Sequence, residues 1–544
     1  MQVREYIKLY PVYLDGGMGT QLQKRGLRAG EASECWNLTH GEDITAIHKA
    51  YFDAGSNVVA TNTFGANALK YDDGKLEQII SAAVENAKRA KAQSSAPQEK
   101  WIALDVGPTG KLLRPFGDLD FETAVAAFQK TVALGAKYGV DLVLIETMSD
   151  LLETKAAVLA AKAACSLPIF VSNAYGENGR LMTGATPQIT VAMLEGLGVD
   201  AIGVNCSFGP KQLCGVVREY LKHASLPVLL KPNAGLPQMI DGENVYTVSP
   251  SEFAADVSAL MREGVRLAGG CCGTTPEHIA ALTQKGQAQT ALAADKKSDT
   301  VITSRTKAVV LENAPILIGT GIDPTQSSEL CDALQEGDTD TLIDEALAQQ
   351  DEDMHALNVS ASLQGADEKE LLTATVCELQ TVVDLPLLLR AASADTLEDA
   401  LRRYNGKPLA GLVTAQNCDK LLALIKQYGA AALVLTADGL GVPKAAQDRV
   451  QIADRIATLA ADLGIGKKDL VFAPSMQAPC DEDTLLAVKM LCEKGYKTLL
   501  PISEQDAERG AFSRALACGL SAAIVDPYCK KIQQTYHDFL KQNT

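Results

Sequence analysis

Three cysteines are the residues of this chain best suited to chemistry. Cys206 ends an apolar run in "AIGVNCS", and Cys271 and Cys272 stand side by side in "RLAGGCCGTTPEH". Three thiolates with one open position form the ligand set of a catalytic zinc site. Sulfur ligands favour zinc or copper(I) over magnesium. The three residues therefore predict a metal site whose fourth position receives water or a substrate atom.

Glycines flank the cysteine pair at positions 269, 270 and 273. A strand alone would send neighbouring side chains to opposite faces, so the backbone must turn before both sulfurs can reach one ion. Glycine permits such a turn. The alternative is that these are inert buried cysteines. We keep that interpretation for the other ten, which include Cys35, Cys165 and Cys214.

The first 280 residues alternate short, β-branched apolar runs with amphipathic segments that have helical spacing. Near-continuous apolar strands are typical of a parallel sheet that is buried on both faces. Eight strands, each followed by a helix, predict a (β/α)₈ barrel. The predicted strands span residues 12–17, 57–64, 101–108, 141–148, 167–174, 201–207, 226–235 and 265–273.

Polar side chains are concentrated at the carboxyl ends of these strands, where (β/α)₈ barrels carry out their chemistry. Cys206 ends the sixth strand and the cysteine pair ends the eighth. Strand ends two apart in a closed barrel are close enough to share one ion. The other polar strand-end residues are Asp15, Thr61, Asn62, Thr63, Asp105, Glu146, Asn173, Asn205 and Asn233.

A second cycle of eight apolar runs follows, so the predicted fold class is α/β with two tandem (β/α)₈ TIM barrels. We predict a first barrel over 1–283, a surface linker over the polar stretch 284–312, and a second barrel over 313–544. The strands of the second barrel are predicted at 315–320, 355–360, 385–391, 409–415, 431–437, 469–475, 497–503 and 521–527.

Composition excludes several classes of partner. The net charge of −17 and the pI of about 4.9 argue against a nucleic-acid backbone as ligand. No apolar run approaches the roughly 20 residues of a membrane helix, and the N-terminal residues lack the features of a signal peptide. We therefore expect a cytoplasmic protein with no membrane partner. In a reducing cytoplasm, clustered cysteines favour metal binding or catalysis over disulfides.

Five motifs of the first half carry a family resemblance: "YLDGGMGTQLQKRG", "ATNTFGAN", "GVNCS", "PNAGLP" and "GGCCGTTPEHI". Together and in this order they resemble the homocysteine-binding barrel of cobalamin-dependent methionine synthases and of zinc-dependent homocysteine methyltransferases. The resemblance implies a zinc ion that is held by Cys206, Cys271 and Cys272. This ion would bind the homocysteine sulfur and activate it.

The same resemblance implies roles for five further residues. Asp15 and Glu146 would contact the substrate ammonium. Thr61 and Thr63, with backbone groups of their segment, would hold the substrate carboxylate. Asn233 would occupy the open zinc position when substrate is absent.

In two-barrel members of this family the second barrel binds methyltetrahydrofolate, and the methyl group passes through cobalamin. "LIGTGIDP" resembles the start of that domain, but residues 319–323 lack its glutamate and Arg390 stands where an aspartate is expected. A buried pterin ring needs carboxylate and amide partners. We therefore expect a degenerate, pterin-binding-like barrel, in which Asp438 and Asp526 remain at strand ends. The chain also lacks a complete cobalamin-ligand motif.

These implications predict an enzyme: a zinc-dependent homocysteine S-methyltransferase of the methionine synthase type. Its methyl donor would be methylcobalamin on a separate corrinoid protein that docks at the mouth of the first barrel. One alternative is the same reaction with methyltetrahydrofolate or S-methylmethionine as donor. Another is a non-catalytic homocysteine- and zinc-binding subunit with the second barrel as a docking scaffold.

Overall fold

The computed structural model describes residues 1–240, 243–286, 296–312, 314–324, 327–363, 365–391, 393–477 and 480–543. The chain divides into two compact units. The first comprises residues 1–195 and 199–297, and the second comprises 196–198 and 298–544. Within the described residues, no helix combines the length and apolar character needed to cross a membrane.

The first unit contains an eight-stranded parallel sheet in the spatial order β1-β10-β7-β6-β5-β4-β3-β2. A parallel bridge from Leu14 to Val58 links the two outer strands and brings the sheet round into a barrel. All eight predicted strands are confirmed. A short antiparallel hairpin, β8–β9, was not predicted. The strands are β1 Val12–Tyr13, β2 Val58–Ala60, β3 Trp101–Val106, β4 Leu142–Met148, β5 Ile169–Asn173, β6 Ala201–Asn205, β7 Val228–Lys231, β8 Gln238–Ile240, β9 Glu243–Val245 and β10 Val265–Ala268.

Helices follow the strands and begin at residues that satisfy free backbone amides. The side chain of Asp120 accepts the amides of Glu122 and Thr123 at the start of α6. Ser249 and Glu252 form a capping box at the start of α10. The helices of this unit are α1 Val3–Leu9, α2 Met18–Gln23, α3 Trp36–Thr39, α4 Gly41–Asp53, α5 Asp73–Gln93, α6 Phe121–Tyr138, α7 Leu151–Ala164, α8 Pro187–Leu197, α9 Pro210–His223, α10 Pro250–Glu263 and α11 Pro276–Gly286.

The amino-terminal end of the first barrel is filled from outside the sheet. Val3 and Ile7 of α1 pack into the cluster formed by the first residues of the strands, such as Trp101 and Phe170. Helix α1 thus excludes water from this end, and the carboxyl ends of the strands are left to form the open mouth.

The second unit is a closed parallel barrel, and all eight predicted strands are confirmed. Its strands are β13 Ile316–Ile322, β14 Ala356–Val359, β15 Leu387–Leu389, β16 Leu409–Val413, β17 Ala431–Leu435, β18 Leu470–Ala473, β19 Lys497–Ile502 and β20 Ala522–Val525. Its helices are α12 Ser328–Glu336, α13 Thr339–Asp351, α14 Glu368–Val382, α15 Ala394–Arg403, α16 Cys418–Tyr428, α17 Ala446–Asp462, α18 Glu482–Glu493, α19 Glu504–Glu508, α20 Ala511–Ala517 and α21 Lys530–Asn543.

The stretch predicted as a surface linker, 284–312, differs from that expectation. Its first residues complete α11, and 287–295 lie outside the described residues. The rest contains an antiparallel hairpin, β11 Val301–Thr303 and β12 Ala308–Val310. Ile302, Val309 and Leu311 are buried in the core of the second barrel. The hairpin therefore closes the amino-terminal end of the second barrel, as α1 does in the first. The polar residues between these three apolar ones hide the alternation in the sequence.

A substitution in this hairpin tests its role. Ile302→Ala should lower the free energy of unfolding of the second unit by about 2–4 kcal/mol, because it leaves a cavity at a fully buried position. Urea unfolding of the full chain measures the change, with the exposed Lys307→Ala as control. A surface linker would instead give a change within about 0.5 kcal/mol for both variants.

Candidate metal centre

The carboxyl ends of β6 and β10 bring the three predicted cysteines together. The sulfurs of Cys206, Cys271 and Cys272 all lie within 4.8 Å of one another. Cys206 follows β6 with a left-handed backbone (φ 61°), and its amide donates to the Lys231 carbonyl at 3.0 Å. The Cys271 amide donates to the Pro232 carbonyl at 2.8 Å. The end of the intervening strand β7 therefore fixes the backbone at both cysteine positions.

The glycines around the cysteine pair serve two different purposes. Gly273 has a left-handed backbone (φ 79°), and a Cβ there would lie 2.1 Å from the Tyr246 ring. A Cβ on Gly270 would lie 2.3 Å from the hydroxyl of Thr274. That hydroxyl donates to the Cys271 carbonyl at 2.6 Å and accepts the Gly17 amide at 3.0 Å. Only Gly273 turns the backbone as predicted, whereas Gly270 allows close packing.

The three sulfurs share hydrogen bonds, and this separates their acidities. Hydrogen bonds from Cys271 and then from Cys272 lower the pKa of Cys206 to about 3. The bond to Cys206 raises the pKa of Cys272 to about 11, and that of Cys271 lies well above its usual value. One thiolate thus sits among two thiols, where a divalent cation can replace both protons.

An orphaned amide oxygen lies beside this cluster. Asn233 is buried and hydrogen-bonds Cys206, yet its Oδ1 has no partner among the described residues. Buried polar atoms without partners are rare, and a metal ion would satisfy this one. Three sulfurs and one neutral oxygen fit the donor set of a zinc ion. The residues present therefore fit the metal that the family resemblance implies, including the expected place of Asn233.

Next to the cysteines, three carboxyl groups surround a buried lysine at the end of β7. Lys231 is 2% exposed, and its Nζ lies 2.7 Å from Glu146 Oε2 and 3.5 Å from Asp15 Oδ1. The Ala60 amide donates to Asp15 Oδ2 at 2.7 Å. Asp105 is buried near this ion cluster, and its Oδ1 has no hydrogen-bond partner among the described residues.

Burial disfavours the charged form of each of these groups. It raises the pKa of Asp15 to about 6, against the opposing pull of Lys231. Burial and the charge of Glu146 raise the pKa of Asp105 well above its usual range. Burial would lower the pKa of Lys231, but Glu146 and Asp15 outweigh it and raise that pKa well above the usual value. Lys231 is therefore held in its charged form, whereas burial and Glu146 disfavour the charged form of Asp105.

The two threonines expected to hold a carboxylate are fully engaged with the protein. The Thr63 hydroxyl donates to the Asp105 carbonyl at 2.7 Å. The Thr61 hydroxyl lies 2.7 Å from that of Thr63 and accepts the Asp105 amide at 3.1 Å. Both hydroxyl protons are thereby used, so Thr61 and Thr63 position Asp105 and have no proton left for a substrate carboxylate. The role of Thr61 and Thr63 in holding a substrate carboxylate stays a prediction.

Sequence reasoning missed two residues of this site. Lys231 falls within the predicted strand 226–235. A lysine at the end of an apolar strand indicates a buried charge partner, because lysines are almost never buried without one. Tyr246 follows the unpredicted β8–β9 hairpin, and its hydroxyl hydrogen-bonds Cys272. No short-range pattern links Tyr246 to a cysteine 26 positions away.

At the mouth of the second barrel, polar groups satisfy one another. Arg390 Nε donates to Asn358 Oδ1 at 2.7 Å, and the guanidinium pairs with Asp323. Asn358 Nδ2 donates to the Thr320 carbonyl at 3.0 Å. These are strand-end positions where the family resemblance implies pterin contacts. The two remaining aspartates, 438 and 526, each accept a local backbone amide, at 2.8 and 2.9 Å.

Comparison with known proteins identifies the family. Residues 12–285, which include the whole first barrel, match the family model for homocysteine S-methyltransferase. The chain belongs to the homocysteine S-methyltransferase family. The match contains all three cysteines, the buried ion cluster and Asn233.

Similarity to methionine synthases extends into the second barrel. The chain is 29% identical to a methionine synthase of Mycobacterium leprae over 490 residues, which cover 84% of this chain and 40% of that protein. It is 29% identical to that of Mycobacterium tuberculosis over 470 residues, which cover 81% and 39%. The aligned region thus spans about 40% of the length of these relatives. The oxidized form of the homocysteine methyltransferase MmuM from Escherichia coli is 26% identical, with 51% of this chain and 96% of that chain covered and a TM-score of 0.44.

Cysteine substitutions test the metal centre. Cys206→Ala and Cys272→Ala should each reduce bound zinc from about one ion per chain to near zero, because two thiolates do not complete the site. Metal analysis after dialysis measures this. Cys214→Ala, a cysteine on α9 outside the cluster, is the control and should retain the metal. Zinc content equal to wild type in both cluster variants would refute the ligand assignment.

Proposed function

We propose that the first barrel is a zinc-dependent homocysteine S-methyltransferase of the methionine synthase type, which converts homocysteine to methionine. The observation that carries this proposal is the group of three thiols within 4.8 Å, beside a buried ion cluster at the same barrel mouth. The two parts would serve the two ends of a thiol-containing amino acid: a metal would bind its sulfur, and fixed charge would bind its polar end. Family membership supports the same reaction.

Each group of the site has a task in this reaction. Cys206, Cys271 and Cys272 would hold zinc, which when bound stabilises the substrate sulfur as the nucleophilic thiolate. Asn233 would give up its place when the substrate sulfur arrives. The buried carboxylates beside Lys231 supply the negative charge that attracts an α-ammonium. Because the site is largely buried, water is kept from the sulfur while it displaces the donor and takes the methyl group.

A large methyl donor is favoured by the rim of the first barrel. Six large apolar side chains in the segments that follow β2, β3, β5 and β7 are 40% to 70% exposed. Exposed apolar patches of this kind mark interaction surfaces. They support a protein-bound methylcorrinoid as donor, rather than a small molecule such as S-methylmethionine. The rim residues are Phe64, Leu112, Phe116, Met182, Leu236 and Met239.

The second barrel is proposed to be a pterin-binding-like domain that has lost its ligand. The pair between Arg390 and Asp323, with Asn358, uses the groups that a pterin ring would need. The barrel would then act as a scaffold. No disulfide joins cysteines in the part of the chain that the structure describes, which supports a reducing, cytoplasmic location.

Methyl transfer with separate donors tests the function. Zinc-loaded protein and homocysteine should yield methionine from free methylcobalamin under anaerobic conditions, and none from methyltetrahydrofolate alone. The Cys272→Ala variant is the inactive control. Tight homocysteine binding without turnover from methylcobalamin or from a protein-bound methylcorrinoid would contradict the enzyme and favour a non-catalytic binding subunit.

Calorimetry tests the second barrel. Methyltetrahydrofolate should give no binding signal, because Arg390 already occupies the polar groups of the mouth. Homocysteine binding to the same zinc-loaded sample is the positive control. A dissociation constant of about 1 μM, roughly −8 kcal/mol, would show that the folate site is intact and would restore methyltetrahydrofolate as a candidate donor.

A further inference from the structure

The side chain of Asn205, the last residue of β6, is fully buried beside the cysteine cluster. Its Oδ1 accepts hydrogen bonds from the Thr147 backbone amide and from the Ser172 hydroxyl, both at 2.8 Å. Its Nδ2 donates to the Thr147 hydroxyl at 2.6 Å and to the sulfur of Cys271 at 3.9 Å. An asparagine amide has two N–H donors and two acceptor positions, and Asn205 uses all of them.

The orientation of this amide follows from its partners. The oxygen and the nitrogen of an asparagine side chain are told apart by the groups that they face. The backbone amide of Thr147 can only donate, so the Asn205 atom that faces it is the oxygen. The nitrogen must then point toward Cys271. A rotated amide would set an N–H group of Asn205 against the N–H group of Thr147.

Asn205 also holds a strained turn in the neighbouring strand β4. Thr147 has a left-handed backbone (φ 62°), which is unfavourable for a β-branched residue. The pairing of β4 with β5 shifts in register between Ile145 and Met148, on either side of Thr147. Such strain persists only where surrounding contacts enforce it, and Asn205 bonds both the amide and the hydroxyl of Thr147. The nitrogen of Asn205 is therefore fixed by β4, by β5 and by its own strand.

A fixed N–H group has a clear use beside a sulfur that binds a metal. Three thiolates and one divalent cation carry one net negative charge, which lies partly on the sulfurs. A hydrogen bond to one of them stabilises that charge and restricts the direction in which the sulfur points. Because β4 and β5 already hold Asn205, the donor needs no rearrangement to make this bond to Cys271.

We propose that Asn205 is a positioning residue of the metal centre. Its Nδ2–H group holds the sulfur of Cys271 toward the other two cysteines and reduces the electron donation of that sulfur to the metal. Asn205 acts through Cys271 and touches neither the metal nor the substrate. This inference rests on the proposed function, because it assigns Asn205 a role toward the zinc ion that the three cysteines would hold.

A substitution of Asn205, with a control that spares its nitrogen, tests this role. Asn205→Ala should raise the dissociation constant for zinc by about 10- to 100-fold, the usual effect of losing a hydrogen-bond partner of a metal ligand. Competition with a chromophoric chelator measures the constant on the full chain. The double variant Thr147→Val/Ser172→Ala removes two hydroxyl partners of the amide but keeps the Thr147 backbone amide on Oδ1 and leaves Nδ2 beside Cys271. Its zinc affinity should stay near the wild-type value.

Cobalt(II) in place of zinc gives a readout that a general loss of stability would not change. A hydrogen bond to a thiolate lowers the energy of the sulfur lone pairs, so its removal moves the sulfur-to-cobalt charge-transfer band to longer wavelength. Asn205→Ala should show this shift, and the double variant should not. Asn205→Ser, whose hydroxyl is one bond shorter than the amide, takes the place of Asn205→Ala if that variant does not fold.

The outcomes separate this inference from the proposed function. Zinc affinity and a cobalt band equal to wild type in the Asn205 variant would overturn the inference. An equal loss of zinc in the double variant would overturn it as well, because contacts with β4 and β5 would then decide the affinity. A weaker affinity without a shift of the band would also overturn it. Failure of the wild-type protein to bind zinc would instead refute the proposed metal centre, and this inference with it.

Discussion

The carboxyl end of β7 is the part of the first barrel on which the rest of the site depends. The carbonyl of Lys231 accepts a hydrogen bond from the Cys206 amide, and the carbonyl of Pro232 accepts one from the Cys271 amide. One strand end thus fixes the backbone of two proposed ligands, which follow the two neighbouring strands. The Lys231 side chain holds Asp15 and Glu146. Asn233 adds an available oxygen. One stretch of three residues thus links the cysteine cluster to the buried ion cluster.

The two barrels use buried charge in opposite ways. In the first, buried acceptors on Asp105 and Asn233 have no hydrogen-bond partner among the described residues. Unsatisfied buried groups of this kind favour a ligand. In the second, Arg390 satisfies Asp323 and Asn358 from within. The same fold therefore leaves buried acceptors unpaired at one barrel mouth and pairs the strand-end groups with one another at the other.

The sequence was sufficient to predict both barrels and all sixteen of their strands, because buried parallel strands are continuous apolar runs that end at recognisable turns. It also predicted the cysteine cluster, since barrel topology alone brings alternate strand ends together. It failed where long-range partners decide. The hairpin that contains Ile302 is stabilised by packing into the core of the second barrel. The burial of Lys231 depends on Asp15 and Glu146, which follow other strands. No local pattern records those contacts.

The central claim is that three cysteine sulfurs and one exchangeable position hold a metal that binds substrate sulfur. X-ray absorption at the zinc edge measures this directly on the zinc-loaded full chain. The account predicts three sulfur ligands and one oxygen or nitrogen ligand without homocysteine, and four sulfur ligands after homocysteine is added. Fewer than three sulfurs at the start, or a ligand set that homocysteine does not change, would contradict it.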